Sequence, residues 1–340
     1  MKISVVIPIY NGERYIEQTI ISILEQPYKD FEILCIDDGS IDSSSVIVKR
    51  IANQDSRVKY FYKENGGVHT ARNKGIELCS GEFVAFLDQD DLWAKNSITD
   101  DFIDKLLKDK CDFYKCSYFE VDQALQNGRL YELPNGFISD IRRSSFQHHS
   151  SYIFNSEFLK SNNIFTDEYR CEDWRFLMRC YAYAHKAEAL NSPYFLYRNN
   201  SQSVSHTGDS LKSIKSALDG FEKYEKLSDN AFLKNSCGIW EMEMVFELVD
   251  QMIANKNTVA EITGVLDEYN LDLLVNQYWC SNVNKEKYKL LSSDLSMYIK
   301  KQKRKIFKCT VLRKLNRIRA FRKIWNKVKY PLKIMELKLI

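Results

Sequence analysis

Residues 83–91 read FVAFLDQDD, an apolar run that ends in three carboxylates, Asp88, Asp90 and Asp91, with no basic residue beside them. Like charges this close repel and raise one another's pKa unless a cation neutralises them, so the pattern points to a divalent metal at the end of a strand. Asp88-Gln89-Asp90 then forms an Asp-x-Asp clamp. Hard oxygen ligands suit Mg²⁺ or Mn²⁺, ions that keep coordination positions for water and for diphosphate oxygens. A solvated acidic turn is the plain alternative, and the motif alone does not separate the two.

Other stretches carry chemistry of a compatible kind. Tyr10-Asn11-Gly12 and Asp37-Asp38-Gly39-Ser40 each follow an apolar run. A nucleotide base needs a flat surface and a directional hydrogen-bond partner, which Tyr10 and Asp38 can supply together. Asp-Gly-Ser is also ordinary turn chemistry, so Asp38 ranks above Asp37. Gly66-Gly67 precedes a helix pattern holding Arg72, whose planar cation suits ribose or diphosphate oxygens. Glu172-Asp173 opens another helix, where the dipole keeps carboxylates ionised; a helix cap and a general base are both consistent with that placement. His69 is read as an exposed loop histidine without a role.

These residues need a scaffold that brings them to one edge. The first hundred residues alternate short β-rich runs with helix patterns: ISVVIPIY, a helix over about 13–26, FEILCID, a helix after Ser43, VKYFYK, a helix around Ala71 to Cys79, then FVAFLD. Consecutive apolar positions in SVVI and FEILCI fit parallel strands covered on both faces. Ligands of such sheets collect at the carboxyl ends of the strands, where Tyr10, Asp38 and Asp88 fall. From 95 to 210 the pattern is mixed, with DFYKCSYFEV and SSYIFN as strands. From 211 to 299 it is helical, with Ile239, Met242, Phe246 and Val249 on one face.

A chain of 340 residues exceeds the roughly 250–300 residues at which single cores stop growing, so more than one unit is expected. The net charge of +3 hides an asymmetry: residues 300–340 carry 16 Lys and Arg against the single acid Glu336, and the remainder is net −12. In that stretch Phe307, Val311, Leu315, Ile318, Phe321, Trp325 and Val328 recur every three or four residues, predicting a basic amphipathic helix that lies on an anionic membrane surface. Nucleic-acid binding is disfavoured because phosphate contacts need no apolar stripe; a dimerisation helix, and with it a homo-oligomer, stays open. Nine cysteines without a Cys-x-x-Cys pair, and no leader before MKISVVIPIY, suggest reduced thiols in the cytoplasm. No apolar run of about 18 residues is present.

Taken in order, VVIPIYNGERYI, IDDGS, ENGGVHTARNKGI, FLDQDD, CEDWRF and YRNNSQSVSH resemble the family-two glycosyltransferases over residues 1–206. The resemblance implies an α/β GT-A nucleotide-diphospho-sugar transferase fold, a Rossmann-like mostly parallel sheet with a C-terminal helical extension. Its catalytic domain would span 1–210, with a nucleotide-binding half (1–94) and an acceptor-facing half (95–210), followed by a helical region (211–299) and the basic tail (300–340). It implies an inverting, metal-dependent transfer of a hexose or N-acetylhexosamine from a UDP-sugar to a glycan hydroxyl. A lipid-linked acceptor in bacterial polysaccharide assembly, at the inner face of the membrane, would fit the tail.

By resemblance, Asp173 is the catalytic base and Glu172 its support. Pro8, Tyr10, Asn11, Asp38, Gly67, Arg72, Asp88, Gln89 and Arg198 line the nucleotide-sugar site, Arg198 over the diphosphate. Asp90, Asp88 and His206 hold Mn²⁺ or Mg²⁺. A dTDP-rhamnose-dependent transferase is the alternative suggested by FLDQDDLW. A catalytically inactive sugar-nucleotide-binding or scaffold protein is the alternative of another class, disfavoured because it needs no Asp88, Asp90 and Asp173 together.

Overall fold

The computed structural model describes residues 3–133, 136–137, 148–199, 210–271, 274–275, 282–316 and 335–336. The first four strands are β1 (Ile3–Ile9), β2 (Phe31–Asp37), β3 (Val58–Tyr62) and β4 (Phe83–Phe86), joined by α1 (Ile16–Leu24), α2 (Ser44–Ala52) and α3 (Val68–Leu78). They pair in parallel in the order β3-β2-β1-β4. Every residue of β1 and β2 is buried, as expected where crossover helices cover both faces. Odd residues Ile3, Val5 and Ile7 face one apolar layer with Ile20, Ile33 and Tyr114. Val6 faces the other with Ile36, Phe86, Phe154 and Phe176.

The strand order reverses at β1, since β2 and β3 lie on one side and β4 on the other. That reversal opens a crevice beyond the carboxyl ends of β1 and β4, the place where open α/β sheets bind ligands. Helix α3, which makes the crossing, starts at Val68, three residues before the predicted Ala71. It lies so close to β1 that a Cβ on Gly75 would sit 2.2 Å from the Val6 side chain.

Beyond β4 come β5 (Leu92–Trp93), α4 (Asp100–Asp109), β6 (Phe113–Val121), β7 (Asn127–Tyr131), β8 (Gly136–Phe137), β9 (Tyr152–Asn155), α5 (Ser156–Ser161), α6 (Glu172–Tyr183) and β10 (Ala187–Arg198). Strand β9 runs antiparallel between β4 and β6, and β10 runs parallel to β6. The sheet is therefore parallel in its first half and mixed in its second, the GT-A arrangement. Strand β10 ends beside the turn that follows β4, which brings Arg198 to the crevice.

The chain divides into two compact units, Met1–Ser203 with Ile334–Ile340, and Val204–Lys333. The second unit contains α7 (Ser210–Leu227), α8 (Ala231–Ala254), α9 (Val259–Glu268), α10 (Asn282–Ser293) and α11 (Leu295–Asn316). Met242, Phe246 and Val249 are buried in its core with Leu218, Leu291 and Tyr298, and Ile239 is partly buried against them. The stretch 300–340 is not one helix. Met335–Glu336 forms β11, antiparallel to Asn127–Gly128, because the open hydrogen-bonding edge of β7 accepts a further strand.

Candidate active site

The carboxylates after β4 sit on a tight turn closed by the Asp91 N–H to Asp88 O bond at 3.0 Å. Their crowding is relieved in two ways that the local sequence does not show. Asp91 is buried, with one oxygen accepting from Arg198 N at 2.8 Å and the other without a hydrogen-bond partner. Burial, and then Asp88 and Asp90, push its carboxyl well above the usual range. Asp88, 36% exposed, instead receives a cation: Arg72 Nη2 donates to its Oδ1 at 2.8 Å. The turn thus meets two arginines that lie 16 and 107 residues away in the chain.

Gln89 points back rather than toward a ligand. Its Nε2 donates to Tyr10 O at 3.0 Å and its Oε1 accepts from Tyr10 N at 2.9 Å, stapling the ends of β1 and β4 across the crevice. Gly12 leaves room for this staple, since a Cβ there would lie 2.3 Å from Gln89 Oε1 and displace it. Thr19 Oγ1 lies within hydrogen-bonding distance of Gln89 O at 2.7 Å and Asp91 O at 2.8 Å, anchoring the turn to α1.

Arg198 also differs from expectation. It is 4% exposed and donates to Asp90 O, Gln123 O and Gln18 Oε1 at 2.7, 3.0 and 2.8 Å, with its guanidinium 4.8 Å from the Tyr15 ring centre. The buried guanidinium holds the carboxylate turn in place.

On the β2 side, Tyr10 is 49% exposed and offers its ring at the crevice mouth. Asn11, at φ +50°, accepts from Ile41 N through Oδ1 at 2.9 Å and so ties the two loops together. Pro8 is buried inside β1 in register with Ile36, where its ring packs instead of meeting a ligand. Asp37 is a turn residue: its carboxylate accepts from Ser40 N at 2.8 Å and from Tyr60 Oη at 2.6 Å. Asp38 accepts from Gly66 N at 3.0 Å, from Gly67 N at 2.8 Å and from Lys63 Nζ. It shapes the Gly66-Gly67 loop, in which Gly67 takes φ +93° as the residue before α3. A carboxylate has about four acceptor positions, so Asp38 has about one left for a ligand.

The second acidic pair opens α6. Its preceding residue, Cys171, adopts φ +62°, a conformation costly for a side chain other than glycine or asparagine, and makes no side-chain cap. Glu172 Oε1 accepts from Arg72 Nη1 at 3.0 Å, so one buried guanidinium spans Asp88 and Glu172. Burial opposes the Arg72 charge, but Asp88 and Glu172 outweigh it and hold the group above the ordinary arginine range.

Asp173 Oδ1 accepts from Trp174 N at 3.0 Å. Burial, and then Glu172, raise its pKa to about 7 despite Arg72. A carboxylate poised there can take a proton at neutral pH. The approach to the pair is fixed by Arg175, whose side chain is fully buried, bonds both oxygens of Asp167 at 3.0 and 2.6 Å and also donates to Tyr169 O and Arg170 O.

Three of these participants have no sequence signal. Lys63 and Arg175 look like any surface cation in the sequence. His148 stacks on Tyr197 with ring centres 3.9 Å apart, and its place near the site comes from the chain path before β9. His206 lies outside the described residues. Asp88 and Asp90 supply hard oxygens suited to Mg²⁺ or Mn²⁺, and substrate oxygens would have to complete the shell: among the described residues no group of three His, Cys, Asp or Glu is gathered to hold a metal ion.

Comparison with known proteins bears on the family and the fold. A family model described as Glycosyl transferase family 2 matches residues 4–183. Glycosyltransferase GlyG of Streptococcus pneumoniae serotype 4 is 30% identical over 243 residues, covering 67% of this chain and 80% of that protein. Glycosyltransferase GlyA of the same organism is 35% identical over 123 residues, but the match spans only 18% of its length. Among solved structures, S. aureus TarS 1–349 in complex with UDP-GlcNAc superposes with a TM-score of 0.60 at 21% identity, covering 81% of this chain and 84% of that one. At that identity the likeness bears on the fold.

Proposed function

The chain belongs to glycosyltransferase family 2, and from that membership we propose that it moves a hexose or N-acetylhexosamine from a UDP-sugar to a hydroxyl of a glycan acceptor, with inversion. The observation that carries this reading is the junction of Asp88, Arg72, Glu172 and Asp173, which joins a carboxylate turn suited to a diphosphate–metal unit to a carboxylate with a pKa of about 7. Tyr10, Asp38 and Gly67 would receive the nucleotide. A UDP-sugar is the donor to test first because a fold neighbour was crystallised with UDP-GlcNAc.

Asp88 and Asp90 would hold Mn²⁺ or Mg²⁺, with His206 as the proposed third ligand. When bound, the cation neutralises charge on the departing diphosphate. Asp173 takes the acceptor hydroxyl's proton as that oxygen attacks the anomeric carbon. The bond from that carbon to the diphosphate oxygen breaks on the opposite face, which inverts the configuration. Glu172, held by Arg72, keeps the first turn of α6 oriented.

The acceptor is proposed to be lipid-linked and the enzyme to sit at the inner face of the membrane. Support comes from the basic stretch 300–340 and from Lys300, Lys301, Lys303, Arg304 and Lys305, all exposed on α11. No described helix is long and apolar enough to cross a membrane. Phe321 and Trp325 lie outside the described residues, and changing both to Ser tests the reading: binding to anionic vesicles should drop although net charge is unchanged. Tight nucleic-acid binding that ignores the change would favour a phosphate-binding tail instead.

The function itself is tested by a panel of nucleotide sugars with Mn²⁺, followed by calorimetry and donor hydrolysis. Saturable binding and hydrolysis of one UDP-sugar are expected. Turnover of dTDP-rhamnose alone, or undiminished activity in excess chelator, would overturn the donor or the metal part respectively.

A further inference from the structure

Arg72 is the most committed cation of the site. Its side chain is 7% exposed, and it donates to Asp88 Oδ1 at 2.8 Å and to Glu172 Oε1, 100 residues further along the chain, at 3.0 Å, joining the turn after β4 to the first turn of α6. Its Nε is buried without a hydrogen-bond partner. A buried unpaired donor works against folding, so the placement does not follow from satisfying the guanidinium. What the planar fork achieves is a fixed distance and angle between two carboxylates, which a point charge such as lysine does not impose.

We propose that Arg72 is the built-in counter-ion of the carboxylate turn and the positioning residue for the base, locking Asp88 to the start of α6. Two consequences follow from its charge and shape. With the Arg72 charge beside Asp88, a divalent ion gains less at Asp88 and Asp90 until a diphosphate brings further negative charge, so metal binding is favoured together with the donor. With Glu172 held to Asp88, Asp173 on the next residue of α6 is set relative to the donor side. The proposal rests on Asp173 as base and on Asp88 and Asp90 as the metal side.

The test uses the full chain, with Mn²⁺ alone, then UDP with Mn²⁺, titrated by calorimetry, and with hydrolysis of the active UDP-sugar for kcat. Arg72→Met should tighten binding of Mn²⁺ alone by about 10-fold, because a nearby positive charge is gone. It should leave UDP affinity in saturating Mn²⁺ within about 3-fold, yet lower kcat by about 10²-fold through misplacement of the base. Arg72→Lys should return Mn²⁺ affinity to the wild-type value without restoring kcat.

Unchanged Mn²⁺ affinity in Arg72→Met overturns the counter-ion. Full kcat in Arg72→Lys overturns the fork, and lost UDP affinity with retained kcat makes Arg72 a substrate ligand instead. If Arg72→Met does not fold, Glu172→Ala reads the same bridge: kcat should fall by about 10²-fold with Mn²⁺ affinity within about 3-fold of wild type, and wild-type kcat overturns the proposal. A wild-type protein that hydrolyses no UDP-sugar would instead count against the functional reading, while the Mn²⁺ titrations would still decide the counter-ion.

Discussion

Two acidic pairs lie in this site, Asp37-Asp38 at the end of β2 and Glu172-Asp173 at the start of α6, and they do opposite things. Asp37 and Asp38 are buried and together accept from Ser40 N, Tyr60 Oη, Gly66 N, Gly67 N and Lys63 Nζ. Their lone pairs shape the loops around them. Asp173 sits beside Glu172 and Asp88, accepts from Trp174 N, and its pKa rises to about 7. Neighbouring acids become architecture where several donors hold them and become titratable chemistry where burial and like charge outweigh the donors.

The comparison breaks first at Asp173. Asp173→Asn keeps shape and hydrogen bonding but cannot take a proton, so turnover should fall by about 10²- to 10⁴-fold while calorimetric UDP affinity survives. Lost nucleotide binding with intact turnover of bound donor would move Asp173 to the nucleotide side.

The same carboxylate sets the pH dependence. Wild-type kcat should fall about 10-fold per pH unit below about 7, as the base becomes protonated. The stability effect has the opposite sense. The unfolded carboxyl titrates near 3.9 and the folded one near about 7. The fold therefore binds the proton more tightly, and this stabilisation, present in full below about pH 4, is lost as pH rises to about 7. In metal-free buffer, the Tm of Asp173→Asn relative to wild type should increase from pH 4 to pH 8; a constant difference would mean that Asp173 is not perturbed.

At Asp37 the effects are structural. Asp37→Ala strands Ser40 N and Tyr60 Oη and should cost about 1–3 kcal/mol in urea unfolding. It should leave the pH profile of kcat unmoved. The smallest effect is expected from Tyr60→Phe, which deletes one donor to Asp37 and should cost about 1 kcal/mol. A shift of the acid limb in either variant would show that the two pairs are not independent.

Much of the fold was readable in advance, since runs such as ISVVIPI and FEILCID carry the consecutive apolar pattern of doubly covered strands. That pattern also placed Tyr10, Asp38 and Asp88 at one edge. Partners were less readable. Asp88, Asp90 and Asp91 have no basic neighbour in the chain, which suggested a cation from outside; the fold supplies Arg72 from α3 and Arg198 from β10. Arg198 and Gln89, read as ligand residues, turned out to hold the turn and the strand ends together.

By itself the sequence determined which segments are strands and helices, and hence which residues reach the carboxyl edge, because apolar periodicity encodes burial locally. Only the tertiary structure decided which charge meets which, that burial raises the pKa of Asp91, that Asp173 is left able to titrate, and that Met335–Glu336 extends the sheet at β7. Those outcomes depend on strand register, on the side of β1 to which α3 crosses, and on contacts between residues 107 and 180 apart in the chain, which no local pattern contains.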